Sequence, residues 1–203
     1  MLARLMGFFL LGLIRVLTGS QARWHGCPPK AEQRIYFANH QSHADLVLIW
    51  AALPHDLRAV TRPIAAREYW TKTPFRQWIT TEVFNAIYVS RERTADQDPL
   101  EPLIAALEQG DSIILFPEGT RNHAEEPQMF KAGLFNLACK FPHVVLVPTW
   151  IANVQRVMPK GEVVPVPVLC SVTFGTPVRV QEGEERRLFL SRARDAVIAL
   201  RDL

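Results

Sequence analysis

Short apolar runs rich in β-branched and aromatic residues alternate along this chain with longer segments of helical periodicity. Apolar runs bounded by turn residues predict strands, and apolar positions three or four residues apart predict amphipathic helices. The predicted strands are Ile35–Ala38, Leu57–Thr61, Asn85–Ser90, Ser112–Phe116, Val144–Thr149 and Ser171–Phe174. The predicted helices are 45–54, Ala65–Trp70, Pro74–Val83, Asp96–Gln109, Met129–Lys140 and Glu184–Leu203. This alternation predicts an α/β fold, a single domain with a central mixed sheet flanked by helices.

The composition is that of one folded domain with little net charge. With 203 residues, 48% of them hydrophobic and 21% charged, the chain is long enough to bury a core and too apolar to be disordered. A formal net charge of +3 suits an anionic substrate or membrane surface, but it is too small to indicate a nucleic-acid partner. The three cysteines are widely spaced, which predicts no disulfide framework and indicates a reducing compartment.

The first 18 residues are strongly apolar, and Arg4 and Arg15 bracket an apolar centre of only ten residues. A spanning helix needs about twenty apolar residues, so a full membrane crossing is not expected. A helix lying in the membrane interface explains both arginines, because their charged ends can reach the headgroups. Two alternatives stay open: a secretory signal with a cleavage site at 20–22, and a helix that only packs on the domain. The next segment, Gln21–Lys30, predicts a linker.

The loop after the strand Ile35–Ala38 contains an imidazole and a carboxylate, His40 and Asp45. On one ideal helix, residues five apart are turned about 140° from each other, so the two can meet only if His40 lies in the loop and Asp45 in the first helical turn. An imidazole oriented by a carboxylate can take a proton from a hydroxyl group. A metal site is the alternative, because His40, His43 and Asp45 are all ligand types, although no other His or Cys cluster completes it.

Further polar residues follow two other predicted strands: Arg91 after Asn85–Ser90, and the turn Glu118-Gly119-Thr120-Arg121 after Ser112–Phe116. In an open α/β sheet, ligands bind at the carboxyl ends of the strands. An arginine can bind two phosphate oxygens at once, and a glycine permits close approach of the backbone. With Lys131, these residues predict a cationic, phosphate-binding pocket, although any one arginine alone could be a solvated surface charge.

Four blocks stand in a fixed order along the chain: Asn39-His40 with Asp45, then Tyr88-Val89-Ser90-Arg91, then Phe116-Pro117-Glu118-Gly119-Thr120-Arg121, then Val147-Pro148-Thr149. In this order they resemble the N-H-x4-D, arginine, F-P-E-G-T-R and V-P blocks of the glycerolipid acyltransferases, of which lysophosphatidate acyltransferase is the central member. The resemblance covers residues 35 to 180, approximately, and the first and third blocks together are highly specific.

The resemblance implies roles for the matching residues. His40 would be the general base and Asp45 its orienting carboxylate. His40 would deprotonate a hydroxyl of the acceptor, which then attacks an acyl thioester. The family uses acyl-CoA or acyl carrier protein as co-substrate and needs no metal or other cofactor. The residues implied at the acceptor phosphate are Arg91, Glu118, Gly119, Thr120 and Arg121, and Lys131 joins them on charge and position; Pro148 is implied on the acyl-donor side.

The expected organisation is a membrane-associating helix over residues 1–20 and an acyltransferase domain of the glycerol-3-phosphate acyltransferase type over residues 21–203. The expected reaction is acylation of a lysophospholipid, with lysophosphatidate giving phosphatidate, by a peripheral or monotopic protein on the cytoplasmic face of the inner membrane. The alternatives are another lyso-lipid acceptor such as an aminolipid, a non-catalytic lipid-binding accessory protein, and a metal-dependent hydrolase.

Two positions depart from the family pattern in the second block. Asn85 stands where the family often has glycine, and Tyr88 where it has phenylalanine. Asparagine is the residue other than glycine that best tolerates a left-handed backbone, so we expect the local geometry to survive.

Overall fold

The computed structural model describes residues 2–19, 21–42, 44–90, 98–122, 124–153 and 169–203. Its strands are β1 Gln21–Trp24, β2 Arg34–Ala38, β3 Thr61–Ala66, β4 Ile87–Val89, β5 Ser112–Leu115, β6 Val145–Ala152 and β7 Ser171–Phe174. Its α-helices are α1 Leu2–Thr18, α2 Asp45–Ala52, α3 His55–Ala59, α4 Arg67–Trp70, α5 Pro74–Trp78, α6 Glu101–Glu108, α7 Gly133–Lys140 and α8 Arg186–Ile198. A π-helical turn, Ile79–Val83, continues α5.

The strands of the described residues form one sheet in the order β1-β7-β6-β2-β5-β3-β4. Every neighbouring pair is parallel except the antiparallel pair β6–β7. The predicted central mixed sheet is therefore confirmed. β2 lies between β6 and β5 and is buried along its whole length. Because carboxyl ends of parallel strands meet at one edge of a sheet, the loops after β2 and β5 lie side by side.

Helices cover both faces of the sheet, and the alternation of β2 side chains divides the core between them. Tyr36 and Ala38 belong to the core cluster that contains α2, against which residues of α1 also pack. Ile35 and Phe37 belong to the cluster formed with α6, α7 and α8. Both faces of β2 are thus fully buried, so the strand is held rigidly where it ends, just before His40.

Two predicted elements are wrong. Gln21–Lys30 is not a linker throughout, because its first four residues form β1, an exposed edge strand that pairs with β7. An exposed edge strand has no alternation of apolar and polar residues that could reveal it. Leu57–Thr61 is not a strand: α3 ends at Ala59, and β3 begins at Thr61 and extends through the predicted start of the next helix to Ala66.

The predicted helix Met129–Lys140 begins four residues late, at Gly133. The segment before it is tied to the turn after β5, because the backbone N–H of Lys131 donates to the carbonyl of Pro117 at 2.9 Å. The N–H of Gln128 donates to the carboxylate of Glu118 at 2.8 Å. These long-range hydrogen bonds replace the first turn of the predicted helix.

Among the described residues, no helix is long and apolar enough to cross a membrane. α1 packs on the domain through Leu10, Leu11 and Ile14, which contact the α2 side of the core. Gly7 lies close to Val83, since a Cβ placed on it would be 3.6 Å from a side-chain carbon of that residue.

Candidate active site

His40 and Asp45 meet at the carboxyl end of β2. His40 lies in the loop and Asp45 is the first residue of α2, which is the arrangement that the spacing required. His40 Nδ1 is 2.8 Å from Asp45 Oδ2, and the Asp45 side chain is 1% exposed. The same Oδ2 accepts hydrogen bonds from the backbone N–H groups of Gln41 at 2.6 Å and Ser42 at 2.8 Å. An acceptor-only carboxylate in this position keeps the hydrogen of His40 on Nδ1, so Nε2 is left as the basic nitrogen.

The imidazole ring of His40 stacks on the side chain of Phe116, with ring centroids 4.3 Å apart and planes inclined by 17°. Phe116 follows β5 directly, so the neighbouring strand supplies one wall of the histidine site. The His40 side chain remains 14% exposed. The ring is therefore fixed in plane by the stack and in rotation by Asp45, while part of it stays accessible from solvent.

Both backbone groups of His40, its N–H and its carbonyl, form hydrogen bonds with residues at the two ends of the turn after β5. Its N–H donates to Glu118 Oε1 at 2.8 Å, and its carbonyl accepts from the N–H of Asn122 at 2.7 Å. The Glu118 side chain is buried, at 1% exposure, whereas Gly119, Thr120 and Arg121 are exposed. The exposed turn therefore lies between two residues that both hold His40.

Lys131 covers this turn. Gly119 has φ of +70°, and a Cβ placed on it would be 2.6 Å from Lys131 Nζ, so the ammonium group lies directly against the glycine. Any larger residue at 119 would be strained and would also displace the lysine. The turn thus carries one cation against its backbone and a second one, Arg121, two residues beyond the glycine. Cations and exposed backbone at one turn can bind a phosphate group.

Asn39 joins β2 to β6 beyond the last backbone pair of the two strands. Its Oδ1 accepts from the N–H of Ile151 at 2.8 Å, and its Nδ2 donates to the carbonyl of Ile151 at 3.1 Å. The buried amide side chain replaces a residue of the sheet ladder and so holds the residue before His40. A polar residue between an apolar strand and a histidine was the signal that could have identified this role from the sequence.

A family model described as Acyltransferase matches residues 24–152, which include the whole of the site described above. The chain belongs to the acyltransferase family. It is 34% identical to the human 1-acyl-sn-glycerol-3-phosphate acyltransferase alpha over 142 residues, or 68% of this chain and 47% of the human protein. It is 26% identical over 181 residues to the 1-acyl-sn-glycerol-3-phosphate acyltransferase of Limnanthes douglasii, or 89% of this chain and 63% of the plant protein. The chain thus spans about half the length of its mammalian relatives.

The fold of this chain is similar to that of a crystal structure of the 1-acyl-sn-glycerophosphate (LPA) acyltransferase from Thermotoga maritima, with a TM-score of 0.70. The match covers 98% of this chain and 79% of the Thermotoga chain at 24% sequence identity. This similarity independently supports the mixed α/β architecture.

The structure brings most of the predicted site residues to one edge of the sheet, with three qualifications. Glu118 lies under the turn and not at its surface, so its carboxylate has no exposed face to offer a phosphate. Pro148 is buried in β6, opposite Phe37 of β2, and its carbonyl accepts from the N–H of Gly175 at 2.8 Å. Arg91 lies outside the described residues, so its part in the phosphate site stays a prediction.

The two buried cysteines of the described residues, Cys27 and Cys170, are not suited to act as nucleophiles. Cys170 is the cysteine whose pKa is influenced by the charge of Asp45, and burial together with that charge raises its pKa to about 11. Burial also raises the pKa of Cys27. Both thiols are therefore neutral near pH 7, and a neutral thiol is a poor nucleophile.

In the part of the chain that the structure describes, no three His, Cys, Asp or Glu residues form a group that could hold a metal ion. His43, the third ligand of the alternative metal site, lies outside the described residues. The predicted chemistry of His40 and Asp45 needs no metal, since it is proton transfer alone.

Both departures of the second block from the family pattern fit the fold. Asn85 has φ of +49°, the left-handed conformation in which asparagine replaces glycine at low cost. The hydroxyl of Tyr88 contacts Thr80 Oγ1, lies 3.0 Å from Thr81 Oγ1 and donates to the carbonyl of Gln77 at 3.3 Å. A phenylalanine could not make these bonds, so the tyrosine attaches β4 to α5 and the π-helical turn.

Proposed function

We propose that this acyltransferase esterifies a lysophospholipid, with lysophosphatidate as acceptor and phosphatidate as product. The observation that carries the proposal is the proximity of a histidine–carboxylate pair to a glycine turn covered by a lysine. The histidine–carboxylate pair can take a proton from a hydroxyl, and the turn with its lysine can bind a phosphate. Lysophosphatidate contains both a hydroxyl and a phosphate. The names of the curated relatives, 1-acyl-sn-glycerol-3-phosphate acyltransferases, support the same acceptor.

In the proposed reaction, Nε2 of His40 removes the proton of the acceptor hydroxyl as its oxygen attacks the thioester carbonyl. The carbon–sulfur bond then breaks, and the departing thiolate takes the proton back from the imidazolium. The products are a new oxygen ester and a free thiol. Asp45 orients the ring through Nδ1 and offsets the positive charge that His40 carries between the two proton transfers.

The acceptor phosphate is proposed to bind at the turn Gly119–Arg121, with the ammonium of Lys131 above it and the guanidinium of Arg121 beside it. Thr120 adds a hydroxyl donor to the same exposed turn, and Arg91 is proposed to reach it from the segment after β4. Lysine binds phosphate as a point charge, and arginine binds it through paired N–H groups. The donor is acyl-CoA or acyl carrier protein, with Pro148 on the donor side, and no step calls for a metal or another cofactor.

Attachment to the membrane is proposed for α1, within a segment of residues 1–20 that precedes the catalytic domain of residues 21–203. The α1 helix is apolar on both faces: one face packs on the domain, and the other exposes Leu2, Leu5, Phe8, Phe9, Leu13 and Val16. Phe8 is 67% exposed and Phe9 63%. This exposed apolar face needs an apolar environment, and the acyl region of one leaflet supplies it, while the exposed Arg15 can reach the headgroups. The proposed location is peripheral or monotopic, on the cytoplasmic face of the inner membrane, where the soluble thioester donors of the proposal would be available.

The test is transfer from a labelled long-chain acyl-CoA, by the full chain in detergent, to lysophosphatidate, other lysophospholipids, glycerol 3-phosphate and a phosphate-free lyso-aminolipid. We expect preference for lysophosphatidate, and we expect His40→Ala to abolish transfer. His55→Ala is a matched control, because His55 also pairs with an aspartate, Asp56, but that pair is exposed, with side-chain exposures of 81% and 95%.

Arg121→Ala should weaken binding of phosphate-bearing acceptors and leave the phosphate-free acceptor unaffected. Transfer to a phosphate-free acceptor alone would keep His40 as base and refute the phosphate site. If neither acyl-CoA nor acylated carrier protein supports transfer to any acceptor, the protein is not an acyltransferase for these lipids, and a lipid-binding accessory role replaces the proposal.

A further inference from the structure

Glu118 is a buried carboxylate in a turn whose next three residues are exposed. Its side chain is 1% exposed, although it begins the turn proposed to bind phosphate. A carboxylate is seldom buried unless its oxygens are hydrogen-bonded, because removing it from water is costly. The inward orientation of this carboxylate therefore indicates that it interacts with other parts of the protein.

Both oxygens of Glu118 accept hydrogen bonds from backbone N–H groups of other segments. Oε1 accepts from His40 at 2.8 Å, 78 residues away in the chain, and Oε2 accepts from Gln128 at 2.8 Å. One side chain thus connects the loop that carries His40 with the segment that leads to Lys131. Hydrogen bonds to an ionised acceptor are stronger than neutral ones, so this connection resists displacement.

The other end of the turn completes the connection. The N–H of Asn122 donates to the carbonyl of His40 at 2.7 Å, so both backbone groups of His40 are bonded to residues that flank the turn. The Asn122 side chain holds the loop in shape, since its Oδ1 accepts from Ala124 at 2.9 Å and its Nδ2 donates to the carbonyl of Glu126 at 2.6 Å.

We infer that Glu118 is a positioning residue for His40 and makes no contact with the acceptor phosphate. Glu118 and Asn122 together fix the distance between the phosphate turn and the imidazole, so that a phosphate on the turn sets its neighbouring hydroxyl against Nε2. The inference rests on the proposed function for the identity of the acceptor, but the geometry of His40 can be tested without it.

Glutamate is the side chain that this role requires. A carboxylate offers two oxygens and no donor, which matches two N–H groups. Glutamine has the same shape, but its NH₂ group would face one of the two N–H donors, so one bond would be lost. Glu118→Gln therefore releases one end of the connection without creating a cavity, and Glu125→Gln is its matched control on an exposed part of the same loop.

The first measurement is kcat and KM of Glu118→Gln for lysophosphatidate and for the best phosphate-free acceptor. Misplacement of a catalytic group by about 1 Å can lower a rate by about 100-fold. We expect kcat to fall about 10- to 100-fold with both acceptors and KM to change little, while Glu125→Gln stays at the wild-type rate. A rise in KM confined to lysophosphatidate would mean that Glu118 contacts the phosphate, and it would overturn the inference.

The second measurement observes His40 directly by NMR of protein with ¹⁵N-labelled histidine. The proton between His40 Nδ1 and Asp45 should give a low-field signal that is absent from His40→Ala. We expect Glu118→Gln to shift or broaden this signal, whereas a general loss of stability would leave it in place below the melting temperature. An unchanged signal together with a kcat within twofold of wild type would refute the positioning role.

The two measurements separate this inference from the proposed function. If the wild-type protein transferred no acyl group, the proposed function would fail, and the NMR signal would still decide whether Glu118 positions His40. Should Glu118→Gln not fold, Asn122→Ala tests the other half of the connection with the same two readouts. Alanine keeps the N–H that bonds His40 but removes the two side-chain hydrogen bonds that hold this N–H in place. Wild-type values in both readouts would overturn the inference.

Discussion

Replacing Asp45 with asparagine removes the negative charge beside His40 and leaves the shape of the side chain intact. In the proposed mechanism, His40 becomes an imidazolium during the reaction, with its Nδ1 2.8 Å from Asp45 Oδ2. Two unit charges about 4 Å apart interact by about 4 kcal/mol at the effective dielectric constant of about 20 that suits such sites. At about 1.4 kcal/mol per factor of ten, Asp45→Asn should lower kcat about 1,000-fold.

The same substitution should change stability far less. The three hydrogen bonds that Asp45 Oδ2 accepts lose about 1 kcal/mol each when the acceptor becomes neutral. Burying a neutral amide costs less than burying a carboxylate, which offsets most of that loss. We expect a net change of about 1 kcal/mol, or a melting temperature lowered by about 2–4 °C in a chain of this size.

The assay is single-turnover acyl transfer to lysophosphatidate at saturating donor, with the melting temperature measured on the same preparation. Asp56→Asn is the control, because it alters the exposed pair His55–Asp56 and should leave both values unchanged. A kcat within tenfold of wild type for Asp45→Asn would refute the electrostatic role of this carboxylate. A melting temperature lowered by 10 °C or more would show that the buried charge serves folding instead.

Two further predictions concern the glycine turn and the exposed face of α1. Gly119→Ala should raise KM for lysophosphatidate about tenfold or more, because the new methyl group displaces the ammonium of Lys131. Gly183→Ala is the control: Gly183 has the same φ of +70°, but a Cβ there meets nothing within 4 Å, so this change should lower stability alone. Equal effects of the two changes on KM would refute the close approach of Lys131 to Gly119. Phe8→Glu with Phe9→Glu should move the protein from the membrane to the soluble fraction, measured by vesicle flotation. Leu188→Glu is the control and should not change membrane binding, because Leu188 is 62% exposed on α8, at the opposite face of the sheet. Unchanged flotation of the double variant would mean that α1 only packs on the domain.

Predictions from the sequence succeeded where neighbouring residues determine the structure. The buried strands β2 and β5 were visible as apolar runs, and the left-handed conformation of Asn85 follows from its own backbone preference. They failed at β1, whose four residues form a strand only because β7 lies beside them. They also failed at the start of α7, where hydrogen bonds to the turn after β5 outweigh helical periodicity.

The sequence by itself determined the α/β alternation. It also determined that His40 must lie in a loop and Asp45 at the start of a helix, because helix geometry keeps residues five apart from meeting on one helix. It also identified the turn after β5 as polar and glycine-containing. Only the tertiary structure decided that Glu118 points inward to His40 while Lys131 reaches over Gly119. The physical reason is that burial of a side chain, and its bonds to residues 78 positions away, depend on how separate segments pack. Those contacts have no trace in the local pattern of residues.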